Sequence, residues 1–170
     1  VIKLYKRALE ERWDSEKLRK NGVTNGEFTY LIYKFPDTIA STLGYMYRDI
    51  DQDGMDELLI VGYVYEGDEA VLYDIYDEQN GAVREVFQAT NHRDSGWITT
   101  DNCVCSTATG GAGYHVMQVF RFKEGEKEIL EDMTVDTQVN PEDVDKYNQL
   151  VDEYTEKKLP LTFTPFSEVK

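Results

Sequence analysis

The stretch GYMYRDIDQDGMDELLIVGYVY, residues 44–65, joins two apolar runs through a short, strongly acidic segment. Before that segment, aromatic and polar residues alternate in GYMYRDI, which is the pattern of a strand with one buried face. After it, LLIVGYVY is almost continuously apolar, as is typical of a central strand. The stretch therefore predicts a strand–loop–strand unit with five carboxylates in the nine residues DIDQDGMDE.

The acidic segment has the oxygen spacing of a calcium loop. Ca2+ takes roughly six to eight oxygens, and a short loop supplies them from alternate positions. With Asp49 as position 1, Gly54 falls at position 6, where the chain must turn sharply. Asp56, at position 8, is expected to point to solvent. The predicted ligands are Asp49, Asp51, Asp53, Met55 through its main-chain carbonyl, and Glu57.

The loop is not an EF-hand, because position 12 is Ile60 within an apolar strand and both flanks read as strands. A bare acidic turn is the alternative, since Asp-Gly is a favoured turn pair. Carboxylates a few ångströms apart near a surface repel one another by roughly 4 kcal/mol per closest pair, however, and a bound dication would offset this cost. The expected affinity is on the order of 10⁻⁴–10⁻³ M, or tighter if the flanking strands preorganise the loop. Such a weak site suits a secreted or surface-anchored protein whose signal segment has been removed.

The run YRDIDQDGMDELLIVGY resembles the Y-x-D-I-D-x-D-G-x-x-E-L-L-I pattern of uncharacterised secreted or lipoprotein-type bacterial proteins. The loop is also similar to the calcium loops of FG-GAP (integrin-propeller-like) repeats. The resemblance implies a long N-terminal helix, one calcium loop, a meandering sheet and a C-terminal helix before a last strand. It implies metal ligands at the same five positions and no particular biological role. The loop occurs once, which disfavours a propeller.

Composition narrows the class of protein. The chain has 170 residues, 41% of them hydrophobic and 30% charged, which indicates one globular domain spanning residues 1–170. Thirty-three acidic residues against eighteen basic residues give a net charge of −15, which disfavours nucleic-acid partners. No apolar run reaches the ~18–20 residues of a membrane-spanning helix.

The remaining segments predict an α+β fold. Residues 1–22 read as one amphipathic helix ending at Asn21-Gly22, FTYLIYKF (28–35) as a strand, and DTIASTLG as a short helix capped by Asp37. Strands separated by turns then follow, with a hairpin at Asn80-Gly81. A C-terminal helix is expected with Asn140 as its N-cap and an apolar stripe, and LTFTPF is expected to add an edge strand. N- and C-terminal helices would thus pack on a mostly antiparallel, meandering sheet of six to nine strands. The apolar stripe comprises Val144, Tyr147, Val151 and Tyr154.

Other candidate sites carry weaker signals. GGAG at 110–113 reads as a hairpin turn rather than a phosphate cradle, because a strand follows it. The soft metal ligands do not match a zinc module, no catalytic motif is present, and the sheet tyrosines read as half-buried packing residues. We therefore expect a noncatalytic, calcium-binding extracellular binding or accessory domain whose partner is an extracellular protein or glycan. A carbohydrate- or cell-wall-binding module, a protein-interaction or inhibitor domain, and an extracellular hydrolase remain as alternatives. The soft ligands are His92, Cys103, Cys105 and His115, and the tyrosines are Tyr63, Tyr65, Tyr73 and Tyr76.

Overall fold

The computed structural model describes residues 1–23, 26–63, 69–89, 95–111, 113–123 and 126–170. These residues form a mixed helix-and-strand structure with a mostly antiparallel sheet, as predicted. Their contacts group the chain into two compact units. The first unit comprises Val1–Arg48, Glu57–His92 and Pro160–Lys170, and the second comprises Asp49–Asp56 and Arg93–Leu159. The assignment of residues 1–170 to a single domain stays a prediction.

The described residues of the first unit form four α-helices and five strands, with a 3₁₀ turn at Phe166–Glu168. Its strands pair in the order β9-β1-β2-β3-β4, and each pair is antiparallel. The hairpin predicted at Asn80-Gly81 is confirmed, with φ of 53° and 77° at the two residues. The helices are α1 (Ile2–Glu10), α2 (Ser15–Lys20), α3 (Gly26–Lys34) and α4 (Ile39–Thr42), and the strands are β1 (Leu43–Arg48), β2 (Glu57–Tyr63), β3 (Ala70–Gln79), β4 (Ala82–Gln88) and β9 (Thr164–Pro165).

The predicted single helix over residues 1–22 is wrong, because the chain breaks between α1 and α2. Arg12 takes a left-handed φ of 49°, and Trp13 turns into the core with 3% of its surface exposed. Asp14 then starts α2 by accepting a hydrogen bond from the amide of Lys17 at 2.8 Å. An Asp side chain that satisfies an amide of the first turn is a strong helix N-cap, and here it favours a new helix. The predicted stop is confirmed by Gly22, whose φ is 83°.

The predicted strand FTYLIYKF is also wrong, because this segment forms the helix α3. Phe28, Leu31 and Ile32 are buried, with 2%, 1% and 6% of their surfaces exposed. Their spacing of three and four residues places them on one face of a helix, whereas Tyr33 is 84% exposed. The aromatic and β-branched composition favoured a strand, and packing of this apolar face decided for a helix.

The core of the first unit lies between α1, α3 and the strands. Tyr5 of α1 stacks on Phe166 with ring centroids 5.7 Å apart. It also packs against Phe28, with ring centroids 4.6 Å apart. The edge strand predicted in LTFTPF is confirmed as the two-residue strand β9. Gly44 permits its close approach to β1, because a Cβ atom at this position would lie 2.1 Å from the carbonyl oxygen of Thr164.

In the part of the second unit that the structure describes, four strands accompany a helix of 13 residues. Its strands pair antiparallel in the order β5-β6-β7-β8. The predicted apolar stripe of α5 packs through Tyr147, Val151 and Tyr154 onto a cluster that contains Trp97 and Met117. The elements are β5 (Ser95–Ile98), β6 (Val104–Thr109), β7 (Tyr114–Lys123), β8 (Glu126–Asp136), a 3₁₀ turn (Pro141–Asp143) and α5 (Val144–Glu156).

Two predicted helix caps are not formed. Asp37 does not cap α4, which begins after Thr38, and its carboxylate instead pairs with Arg12 at 2.6 Å. Asn140 makes no side-chain hydrogen bond at the 3₁₀ turn that precedes α5. In the described parts of the chain, no helix combines the length and apolar character needed to cross a membrane.

Candidate metal centre

The acidic segment connects β1 to β2 as a tight turn. The two strands stay paired up to Arg48 and Glu57, so the eight residues 49–56 must reverse the chain between them. Two residues take left-handed backbone angles, Gln52 with φ of 64° and Gly54 with φ of 92°. A glycine adopts this conformation without the steric cost that a Cβ atom brings. The sharp turn predicted at Gly54 is therefore present.

Three of the predicted ligands come together at the base of this connection. Carboxylate oxygens of Asp49, Asp51 and Glu57 lie within 4.8 Å of one another. All three belong to one continuous stretch of nine residues, so their proximity follows from the local course of the chain. Glu57 is buried, with 4% of its surface exposed, whereas Asp49 and Asp51 are half-buried.

Main-chain amides of the loop orient these carboxylates. The amide of Gly54 donates to Oδ2 of Asp49 and the amide of Asp53 donates to Oδ1 of Asp51, both at 3.1 Å. The amide of Met55 donates to Oδ1 of Asp53 at 2.8 Å. Each bond fixes the direction of the carboxyl group that accepts it. The loop thus holds its carboxylates in place and close together.

One carboxylate oxygen of Asp49 is the strongest indication that the site binds a cation. Its Oδ1 atom is buried, and among the described residues it has no hydrogen-bond partner. A buried oxygen of a charged group without a donor costs free energy, typically a few kcal/mol. A cation held between Asp49, Asp51 and Glu57 would compensate this oxygen directly.

The other two predicted ligands lie elsewhere in the loop. Asp53 is exposed and is not part of the three-carboxylate group. Met55 is also exposed, and its ligand role was assigned to the carbonyl oxygen. Both assignments stay predictions. Asp56 is exposed, as expected.

The donor set suits a hard cation. Three carboxylates supply oxygens only, which are the ligands that Ca2+ and Mg2+ prefer. A Ca2+ ion would need further oxygens beyond these three, from main-chain carbonyls or water. The donor chemistry therefore fits the predicted ion, and Asp49, Asp51 and Glu57 are the residues that would hold it.

The two cysteine thiols are not part of the group formed by Asp49, Asp51 and Glu57. Cys103 and Cys105 are buried free thiols in the cluster beneath α5. Burial raises the pKa of both, and that of Cys105 to about 12, which disfavours the thiolate that zinc requires. His92, the first of the soft ligands named above, lies outside the described residues.

The candidate tyrosines and the GGAG segment lie where packing or turn formation explains them. Tyr73 is buried, and Tyr63 packs against Phe163 with ring centroids 5.3 Å apart, while Tyr65 lies outside the described residues. The GGAG segment joins two paired antiparallel strands, β6 and β7, with residue 112 not described. Packing and turn formation account for these features in the described part of the chain.

Sequence reasoning missed two residues that matter here. Asn102 donates from Nδ2 to the carbonyl of Asp49 at 3.1 Å and so supports the start of the acidic loop. Asn102 lies 53 residues from Asp49 in the sequence, so no local pattern indicated this contact. Asp74 of β3 is completely buried and accepts a hydrogen bond from the Tyr5 hydroxyl at 2.5 Å. A carboxylate in the middle of the largely apolar run AVLYDIYD was the available signal.

Comparison of the chain with protein-family models, curated proteins and solved structures found no match.

Proposed function

We propose that this chain is a calcium-binding, noncatalytic domain in which the ion stabilises the connection between β1 and β2. The observation that carries the proposal is the buried Oδ1 of Asp49, which lacks a hydrogen-bond donor among the described residues and lies in a carboxylate group with Asp51 and Glu57. A bound Ca2+ ion would satisfy that oxygen and relieve the repulsion between the three charges.

The ion acts structurally in this proposal. Glu57 is the first residue of β2 and lies opposite Arg48, the last residue of β1. An ion that joins Glu57 to Asp49 and Asp51 would tie the turn to the first residue of a buried strand. Calcium would then stabilise the end of the hairpin and its register, without taking part in a reaction.

An extracellular location follows from the expected affinity. A loop with three clustered carboxylates and no helical flanks is expected to bind calcium in the range of about 10⁻⁴–10⁻³ M. Such a site fills where calcium is plentiful, as it is outside cells. We therefore propose a secreted or surface-anchored protein with an extracellular protein or glycan as partner.

The test is the melting temperature with 5 mM calcium and with a chelator. Binding at the expected affinity stabilises the folded state by about 1–2 kcal/mol, which corresponds to a rise of about 2–8 °C for a chain of this size. Asp51→Ala should abolish the rise. Asp56→Ala is the matched control, because it removes an exposed carboxylate of the same loop and should retain the rise. A wild-type melting temperature that is the same with calcium and with a chelator would refute the proposal.

A further inference from the structure

A cleft of about 420 Å³ lies beside the acidic loop in the second unit. Its volume falls within the range of small-ligand sites, about 300–1,000 Å³. The charged and polar lining comes from three separate segments, namely the acidic loop, the β5–β6 turn and the end of β7. The charged residues are Asp51, Asp53, Asp101, Arg121 and Lys123, and the polar ones are Gln52 and Asn102.

Charges of both signs line the cleft, and they come from different segments. Arg121 and Lys123 lie two residues apart on β7, so their side chains leave the strand on the same face. Arg121 forms an exposed ion pair with Glu128, with Nε and Oε2 3.6 Å apart, which is too long for a hydrogen bond. Within the described ranges Lys123 forms no ion pair. Two cations on one strand provide a recognition site for a carboxylate, and Arg can bind it through two parallel hydrogen bonds.

The β5–β6 turn provides hydroxyl-binding groups. Asp101 accepts a hydrogen bond from the Thr99 hydroxyl at 2.6 Å, and this bond, above all, lowers the pKa of the Asp101 carboxyl group. A charged carboxylate accepts hydrogen bonds only, which suits hydroxyl donors of a ligand. Asn102 is held by its bond to the carbonyl of Asp49, so the amide side chain has a fixed position.

Apolar atoms complete the lining. Ile50 and Phe122 border the cleft, and both side chains are almost fully buried, with 2% and 6% of their surfaces exposed. A lining that combines apolar and charged groups suits a ligand with both C–H surface and polar groups. A sugar ring that carries a carboxylate has this combination, whereas a simple inorganic anion has no apolar surface.

We propose that this cleft binds an acidic sugar of the uronic-acid class. Arg121 and Lys123 bind the carboxylate of the sugar, while Asp101 and Asn102 form hydrogen bonds with its hydroxyl groups. Asp51 lines the cleft and also belongs to the three-carboxylate group, so a calcium ion there would lower the negative charge that faces the ligand. The calcium dependence of this binding rests on the proposed function. The recognition of the carboxylate rests on the chain's own cations.

The experiment is isothermal titration of the full chain with galacturonate, in calcium and in a chelator. A blank titration of galacturonate into calcium buffer corrects for association between the two. Galacturonate should bind, and more tightly with calcium. Galactose, the neutral counterpart, and lactate, a smaller hydroxy acid, should each bind at least about tenfold more weakly, because one lacks the charge and the other lacks the ring.

The variant Arg121→Gln/Lys123→Gln should lose about tenfold or more of the galacturonate affinity while keeping the rise of melting temperature with calcium. The matched control is Arg19→Gln/Lys146→Gln, which removes the same two charges from exposed positions and should keep the affinity within about twofold.

Three results would overturn the cleft assignment: no binding of galacturonate up to about 10 mM, equal binding of galactose or lactate, or unchanged affinity in the double variant. These results are independent of the calcium response. A chain that shows no calcium response but binds galacturonate through Arg121 and Lys123 would refute the proposed function and leave the cleft assignment intact.

Discussion

Asp74 of β3 and Asp49 of the acidic loop each place carboxylate oxygen out of contact with water, and they differ in what surrounds that oxygen. Asp74 is fully buried and accepts the hydroxyl proton of Tyr5 at 2.5 Å. The Tyr5 oxygen lies 3.0 Å from that of Tyr76, which in turn donates to Glu85 at 2.9 Å. At Asp49, by contrast, Oδ1 is buried without a donor among the described residues.

The difference separates a structural carboxylate from a candidate ligand. The Tyr5 hydroxyl donates to the carboxylate of Asp74, so a group of the protein itself compensates its burial. Asp49 has one oxygen compensated by the amide of Gly54 and the other uncompensated. The uncompensated oxygen of Asp49 therefore marks the acidic loop, rather than the surroundings of Asp74, as the place for a cation. The stability contribution of the Asp74 region should consequently be independent of calcium, whereas that of Asp49 should depend on it.

Tyr5→Phe should have the largest effect on stability, a loss of about 2–3 kcal/mol in the free energy of unfolding. The substitution removes the hydroxyl that donates to a fully buried carboxylate, and hydrogen bonds to charged groups are worth more than neutral ones. The loss should be equal in 5 mM calcium and in a chelator. Urea denaturation under both conditions measures it.

Tyr33→Phe is the matched control, since it removes the same hydroxyl at a side chain that is 84% exposed, and it should change the free energy of unfolding by less than about 0.5 kcal/mol. A Tyr5→Phe variant as stable as the control would mean that the hydroxyl does not compensate Asp74. A loss seen with calcium alone would link Asp74 to the ion and remove the contrast with Asp49.

Asp49→Asn should show a smaller and calcium-dependent effect. In 5 mM calcium, the variant should lose the stabilisation that the ion provides, about 1–2 kcal/mol at the expected affinity. In a chelator it should be as stable as the wild type or more so, because one charge fewer repels Asp51 and Glu57. Urea denaturation in the two conditions measures the difference, with Asp56→Asn as control. Equal losses in both conditions would assign Asp49 to the structure alone.

The features that sequence patterns predicted are the local ones. The acidic loop, its sharp turn at Gly54 and the flanking strands all lie within 22 residues, where spacing decides the geometry. The hairpin at Asn80-Gly81 depends on two residues that tolerate left-handed angles. The stripe of α5 has a helical period that persists over three turns. Each of these signals is complete within one segment.

The features that escaped prediction depend on distant partners. Phe28, Leu31 and Ile32 fit a helix once their common face is covered, and composition alone favoured a strand. The partner of Asp74 is Tyr5, 69 residues away, and the cleft cations on β7 meet the acidic loop only in the folded second unit. Tertiary contacts decide these cases, and no local spacing encodes them.

Alkaline pH should give the smallest effect and test the Asp74 region directly. Burial, followed by the charge of Asp74, raises the pKa of Tyr5 above its ordinary value. The folded state therefore keeps a proton that the unfolded state releases near pH 10, so the stabilising contribution is complete below pH 10 and declines as the pH rises further. Tyr5→Phe lacks this titration. Its stability deficit relative to the wild type should therefore shrink by about 0.8 kcal/mol between pH 8 and pH 10.5, as measured by urea denaturation. A deficit that stays constant over this interval would show that Tyr5 titrates normally and that its hydroxyl is not held as a donor beside Asp74.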